Sequence, residues 1–184
     1  MRFRIESIKD GGLELDSTIP WEDLSILAEI SASGDCRFLQ GVRVRVRAQL
    51  VGDLVEVAGK VETAARFQCG GCLQDYEAAL CAHFEVTYAR HLPKIEEAEV
   101  GDEVEVTAED LGVVLFQGDE IELDEAVQEQ IAMILPVRRR CRESCKGLCS
   151  RCGTDLNQGE CGCDRGNINL KFAALKDFKV DKSS

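Results

Sequence analysis

Residues 42–50 read Val-Arg-Val-Arg-Val-Arg-Ala-Gln-Leu, and this stretch decides the fold class. Side chains of a β-strand alternate between faces, so Val42, Val44, Val46, Ala48 and Leu50 share one face while Arg43, Arg45 and Arg47 share the other. The pattern predicts a strand with one buried side. Val51-Gly52-Asp53 predicts a hairpin turn into a strand over Leu54–Ala58, with another strand at Val61–Phe67. Farther on, Tyr76, Ala78, Leu80, Ala82, Phe84, Val86 and Tyr88 alternate in the same way. Three or four antiparallel strands follow from these runs.

Helical spacing flanks them. Trp21, Leu24, Ile26, Leu27 and Ile30 recur at roughly 3.6-residue intervals, and Leu123, Val127, Ile131, Ile134 and Leu135 form a clearer stripe that Pro136 ends. Asp124 and Glu125 suit the positive N-terminus of that second helix, and Arg138–Arg140 follow its negative end. The fold class expected is α+β: an antiparallel sheet of several strands with a few packed helices over residues 1–136. A cysteine-rich, basic, zinc-binding tail is expected over residues 137–184.

The 184 residues carry 34 acidic and 22 basic side chains, a net charge of −12 that argues against generic nucleic-acid binding. The charge is unevenly spread. Residues 85–129 hold 15 acidic and 2 basic side chains, a local −13, whereas residues 138–184 hold 11 basic and 6 acidic, a local +5. The acidic stretch 96–110 reads as a loop. The opening MRFRIESIKD has no apolar run behind its basic residues, and no stretch is long and apolar enough to span a bilayer. A cytoplasmic protein with no membrane partner is the expectation.

Ten cysteines without an export signal indicate a metal or redox framework rather than a disulfide scaffold. Six of them, Cys141, Cys145, Cys149, Cys152, Cys161 and Cys163, lie within CRESCKGLCSRCGTDLNQGECGC. Cys149-Ser150-Arg151-Cys152-Gly153 has the form of a zinc knuckle: two intervening residues let both sulfurs reach one ion, and the glycine permits the turn. Cys161 and Cys163 can complete that tetrahedron, while Cys141 and Cys145 offer further ligands. The segment Cys141–Cys163 has few apolar residues, chiefly Leu148 and Leu156, and a bound ion can supply folding energy on the order of 10–16 kcal/mol. The ferredoxin spacing C-x2-C-x2-C is absent, which favours zinc over an iron–sulfur cluster. A second C-x2-C, Cys69 to Cys72, admits three readings: a redox pair, a zinc half-site or a tight turn with buried thiols. With the tail it makes eight candidate ligands, enough for two four-thiolate sites, so one or two structural Zn2+ ions are expected. Cys36 and Cys81 lack partners at ligand spacing.

Signs of catalysis are scarce. His83 and His91 sit in no metallohydrolase motif, and no nucleophile elbow, Walker loop or dinucleotide fingerprint occurs. An all-cysteine site is closed, whereas hydrolytic centres keep an open position. A non-enzyme without a small-molecule substrate is expected. Arg138, Arg139, Arg140, Arg142, Lys146 and Arg151 surround the first tail cysteines and are the candidate RNA-binding residues, since guanidinium groups suit phosphates. The opposing reading is that these arginines pair with carboxylates. Arg43, Arg45 and Arg47 would extend the basic surface if the fold brought their strand near the tail.

Asp119-Glu120-Ile121, Leu135-Pro136, Cys141, Cys145-Lys146-Gly147-Leu148-Cys149, Cys152-Gly153, Leu156-Asn157 and Cys161-Gly162-Cys163 together resemble the bacterial YceD family of large ribosomal RNA subunit accumulation proteins. The resemblance spans roughly residues 41–163. It includes the upstream pair Cys69 and Cys72, where Gly71 stands in place of the usual basic residue. It implies a ribosome-biogenesis role in synthesis, processing or accumulation of 23S ribosomal RNA, with large-subunit RNA or a pre-ribosomal particle as partner. It carries over no catalytic residues. Two other functions compete: an acidic adaptor or chaperone for a basic ribosomal protein without RNA contact, and a thiol-redox protein using Cys69 and Cys72.

Overall fold

The computed structural model describes residues 1–91 and 112–163. The expected acidic loop at 96–110 and the tail beyond 163 lie outside the described residues. In chain order the elements are β1 (Arg2–Arg4), β2 (Leu13–Ile19), α1 (Ser25–Ala32), β3 (Arg37–Phe38), β4 (Val42–Val51), β5 (Leu54–Gln68), β6 (Asp75–Ala89), β7 (Val113–Leu115), β8 (Glu120–Glu122) and α2 (Asp124–Met133). The main sheet has six strands in the order β2-β4-β5-β6-β7, with β3 pairing β5, and β1 pairs β8 in a small second sheet. The body is therefore mostly sheet with two helices, an open α+β arrangement.

The alternation that predicts β4 holds from Val42 to Ala48 and fails at Leu50, which is 54% exposed where the strand runs into the hairpin turn. Val42, Val44, Val46 and Ala48 are buried and the three arginines between them are exposed. Val51 pairs with Leu54 across the turn at Gly52-Asp53, which fixes the register of β4 against β5. The expected strands at Leu54–Ala58 and Val61–Phe67 are one continuous strand of 15 residues. Gly59 is the reason. Its alternation phase matches Val57 and Val61, and the absent side chain makes room for a neighbour. A Cβ at position 59 would lie 2.6 Å from Val46 Cγ1 and 2.7 Å from the Phe84 ring. One pairing departs from the antiparallel expectation: β7 runs parallel to β6, with Thr87, Tyr88 and Ala89 opposite Val113, Val114 and Leu115.

The two helices pack together on the buried side of the sheet. Leu24, Leu27, Ile121, Leu123, Val127 and Ile131 join the sheet valines and Phe67 in one core. Gln128, a buried polar residue of α2, accepts hydrogen bonds at Oε1 from the Ile26 N–H at 3.0 Å and the Ser25 hydroxyl at 3.4 Å. It thereby supplies an acceptor at the N-terminus of α1, where no local side chain caps the helix. The predicted Trp21–Ile30 helix thus becomes a short 3-10 turn at Trp21–Asp23 followed by α1. No helix among the described residues is long and apolar enough to cross a membrane.

Two of the three β4 arginines are matched by carboxylates, and the third is held by a backbone carbonyl. Arg43 makes a forked contact with Asp16 of β2 (3.1 and 2.8 Å), Arg45 pairs with Glu62 of β5, and Arg47 donates to the Gly11 carbonyl oxygen at 3.2 Å. Gly59→Ala should destabilise the protein by about 1–3 kcal/mol through overpacking. Pairing it with Phe84→Leu should recover part of the loss, as read from urea midpoints of the single and double variants.

Candidate metal centres

β5 and β6 are joined by Cys69-Gly70-Gly71-Cys72-Leu73-Gln74. The Cys69 N–H donates to the Gln74 carbonyl at 2.9 Å, and the Leu73 N–H donates to the Cys69 carbonyl at 2.8 Å. The same two bonds recur at Cys149–Thr154: the Cys149 N–H to the Thr154 carbonyl at 2.8 Å and the Gly153 N–H to the Cys149 carbonyl at 2.9 Å. In both turns backbone N–H groups point at the first sulfur, from Cys72 and Gly71 toward Cys69 and from Cys152 and Arg151 toward Cys149. The two C-x2-C segments adopt one backbone form. That form requires a left-handed residue after the second cysteine, filled by Gly153 at φ 74° and Leu73 at φ 62°. Glycine enters this region freely, while a leucine costs roughly 1–2 kcal/mol.

Eight of the ten cysteines gather in two groups. Cys69 and Cys72 meet Cys141 and Cys145, and Cys149 and Cys152 meet Cys161 and Cys163; within each group the sulfurs all lie within 4.8 Å of one another. In the first group Cys69 and Cys145 have sulfurs 3.8 Å apart, and Cys72 and Cys141 3.7 Å. A tetrahedron built on metal–sulfur bonds of about 2.3 Å has edges of about 3.8 Å. A disulfide would need about 2.05 Å, and all ten cysteines are free. Each group could hold one metal ion. Cys36, buried, and Cys81, exposed, stand outside both groups. His83 is exposed on β6, the solvated position its strand phase predicts.

The first group joins the sheet to the tail. The Gly70 N–H donates to the Arg139 carbonyl at 2.8 Å, and the Leu148 N–H donates to the Gly71 carbonyl at 2.9 Å. Gly147, at φ 71°, packs directly on Gly71: a Cβ at 147 would lie 3.0 Å from the Gly71 oxygen. Two residues not foreseen as part of the site, Asn157 and Asp155, link the groups, and a third, Thr154, touches the second group alone. Asn157 accepts at Oδ1 from the Lys146 N–H (2.9 Å) and donates from Nδ2 to the Cys145 sulfur (3.6 Å) and to Asp155 (2.7 Å). Asp155 in turn accepts from Gln74 Nε2 at 3.2 Å. Thr154 lies with its hydroxyl 3.2 Å from the Cys152 sulfur. Their functions depend on where the chain returns, and no spacing rule in the sequence reports that.

The sulfurs differ in burial and in proton affinity. Cys69, Cys72, Cys145 and Cys149 are buried, whereas Cys152 is exposed. Backbone N–H groups of Cys72, Cys141 and Gly71 draw the Cys69 thiol down to about 6. The Thr154 hydroxyl, then its backbone N–H, do the same for Cys152, also to about 6. Cys141 is pushed up to about 12 by desolvation and by the thiols beside it, and Cys163 to about 12 by its hydrogen bond with Cys152 and by burial. Each cluster without an ion is thus a mixture of thiolate and thiol. A redox nucleophile must be reachable, and Cys69, fully buried among three other thiols, is not.

The candidate RNA-binding residues are placed differently from one another. Arg138, Arg140, Arg142, Lys146 and Arg151 are exposed, and none has a carboxylate partner among the described residues. Arg139 is half-buried and bridges to Asp35 at 2.7 Å. Arg43 and Arg45 are matched by Asp16 and Glu62, so they add little free positive charge.

Two outcomes follow. Metal binding displaces the protons still held by Cys141 and Cys163, so affinity should rise as pH is raised from 6 to 8 and fall on acidification. Cobalt–thiolate absorbance with a pH-indicator dye reads both the affinity and the protons released. Leu73→Gly should stabilise the loaded protein by about 0.5–1 kcal/mol, because relief of the left-handed leucine exceeds the entropy cost of glycine; a higher urea midpoint is the readout.

Residues 57–179 match the family described as large ribosomal RNA subunit accumulation protein YceD. An uncharacterized protein of Mycobacterium leprae (strain TN) is 29% identical over 137 residues, covering 74% of this chain and 58% of the relative. The large ribosomal RNA subunit accumulation protein YCED homolog 1, chloroplastic, of Arabidopsis thaliana is 30% identical over 60 residues, covering 33% of this chain and 19% of that protein. The chain therefore spans just over half of one relative and about a fifth of the other. No solved structure matches it. The family match takes in both C-x2-C turns and all eight clustered cysteines, and the chain belongs to the YceD family.

Proposed function

We propose that the protein is a non-enzymatic factor in large-subunit ribosome biogenesis, acting in the cytoplasm on 23S ribosomal RNA or a pre-ribosomal particle. The family description, accumulation of large ribosomal RNA, supports the pathway. The contact is electrostatic. Two Zn2+ ions, one per cysteine group, hold the turns that carry Arg138, Arg140, Arg142, Lys146 and Arg151, and these cations meet RNA phosphates. Zinc suits closed four-thiolate tetrahedra with N–H groups turned onto the sulfurs, and its redox inertness suits a structural role. The observation that carries the reading is the contrast in pairing. In the main sheet Arg43, Arg45 and Arg66 sit against carboxylates and Arg37 and Arg47 do not, while all five of those tail cations lack one among the described residues. Arg139 is a brace, held by Asp35, rather than a contact.

No aromatic residue lies within the cysteine-rich segment 138–163, so base stacking is not part of the interaction. Positioning on phosphates is sequence-tolerant, and selectivity then comes from the shape of the particle. The second cysteine group sits nearest the exposed Arg151, between two of its own ligands, so loss of that ion should disorder the contact without unfolding the sheet.

Crosslinking in growing cells, followed by sequencing of attached RNA, tests this directly. The expected outcome is enrichment of 23S precursor at a defined place, lost in the combined variant Arg138→Glu, Arg140→Glu, Arg142→Glu and Arg151→Glu. In vitro, each phosphate contact removed should flatten the log–log salt dependence by about 0.7–0.9. Arg139→Glu is the control: it should lower stability and leave that slope nearly unchanged. Recovery of a basic ribosomal protein with only background RNA would overturn the reading in favour of an adaptor.

A further inference from the structure

β6 is a strand of 15 residues with little on its far side among the described residues. β5 pairs with it along its whole length, but among the described residues β7 covers the other edge only at Thr87–Ala89. Which backbone groups face that edge follows from the register. The Leu39 N–H donates to the Ala64 carbonyl, so even-numbered residues of β5 direct their backbone toward β3 and β4 and odd-numbered ones toward β6. Thr63 stands opposite Leu80 and Ala65 opposite Ala78, so even-numbered residues of β6 answer β5. Asp75, Glu77, Ala79, Cys81, His83 and Glu85 therefore aim their N–H and C=O groups out of the sheet. The Ala89 carbonyl, in the same phase, accepts from the Phe116 N–H at 3.1 Å on the β7 side.

Among the described residues this edge from Asp75 to Glu85 has no strand partner, over a length of about 34 Å. An edge of that length is a template for strand addition. Side chains define what fits. Asp75, Glu77, Ala79, Cys81, His83 and Glu85 are exposed on one face, and Leu80, Ala82 and Phe84 are buried on the other, with Tyr76 and Ala78 half-buried. Glu77 is engaged by Arg66 at 2.7 Å, while Asp75 and Glu85 have no ion-pair partner among the described residues. A second copy of this chain is a poor occupant. Antiparallel self-pairing about the middle of the edge sets Asp75 against Glu85, or Glu77 against Glu85 in the next register, and like charges directly opposite are destabilising.

We infer that the open edge of β6 accepts an extended segment of a basic protein by strand addition, the segment alternating Lys or Arg with apolar residues. The cationic side chains lie on the face that carries Asp75, Glu77 and Glu85, where the small Ala79 and Cys81 leave room for their stems, and the apolar side chains extend the row formed by Ala78, Leu80 and Ala82. This goes beyond RNA contact at the tail, uses different residues, and stands or falls separately from it.

The test uses the metal-loaded full chain and a nine-residue peptide alternating Lys and Val. In the free protein the amides of Glu77, Ala79, Cys81, His83 and Glu85 should exchange rapidly with solvent. Saturating peptide should slow them at least tenfold, while the even-numbered amides, already paired to β5, stay unchanged. Ala79→Pro removes an edge donor without touching a β5 bond and should weaken binding at least tenfold. The double variant Asp75→Lys and Glu85→Lys should do the same and should instead bind a Glu–Val peptide. Methylating the peptide nitrogens that face the edge repeats the proline experiment on unaltered protein. Edge amides already protected in the free chain, or binding indifferent to both proline and N-methylation, would overturn the inference.

Discussion

Four sulfurs brought within 4.8 Å of one another form a constraint on which the C-terminal third depends. As thiolates they repel, and as thiols they bury weak donors for little return; a divalent cation at the centre resolves both. The chain can gather them because each C-x2-C turn aims backbone N–H groups at its first sulfur, which lowers the cost of the negative charge before any ion arrives. The cysteine-rich segment 141–163 has almost no apolar material besides its cysteines. Leu148 and Leu156 are only half-buried, so cross-linking through sulfur takes the place that a hydrophobic core takes in the sheet.

The first group takes Cys69 and Cys72 from the sheet hairpin and Cys141 and Cys145 from the segment after α2. It docks the basic segment against the end of β5 and β6, with Gly71 and Gly147 back to back and Asn157 tying Cys145 to the second turn. The second group is more local, with all four ligands within residues 149–163, and more exposed at Cys152. One group therefore anchors and the other shapes the outer tip. The division explains why the arginines between Arg138 and Arg151 can be held out to solvent on so short a stretch.

Charge is handled differently in the two parts. On the sheet the like-charged arginines of β4 are set opposite carboxylates of β2 and β5, forked in the case of Arg43. Exposed pairs of that kind contribute at most about 1 kcal/mol each, but they leave the sheet face close to neutral. Among the described residues the cations from Arg138 to Arg151 have no carboxylate partner apart from Arg139, which Asp35 fixes near the hairpin. The edge of β6 that is open among the described residues begins immediately after the Cys69–Gln74 turn, so the end that carries the first cysteine turn also starts the edge proposed to accept a strand.

Much of this was written in local spacing. Alternation at Val42–Leu50 and Tyr76–Tyr88 set strands and faces because a strand's side-chain period is two, whatever it pairs with. The stripe from Leu123 to Ile131 set α2, and the C-x3-C, C-x2-C and C-x-C spacings marked eight cysteines as candidate ligands, since ligand spacing is a property of short turns. Sequence alone split β5 at Gly59-Lys60, because a glycine reads as a break unless the ring that fills its place, Phe84, is known to lie across from it. It also left the parallel pairing of β7 unseen, since pairing direction depends on the path of the connection. The partition of eight cysteines into 69, 72, 141, 145 and 149, 152, 161, 163, the pairing of Arg139 with Asp35, and the place of Asn157 were decided by tertiary structure. The physical reason is the same in each: local spacing determines which groups can bind, but only the closing of long loops determines which of them meet.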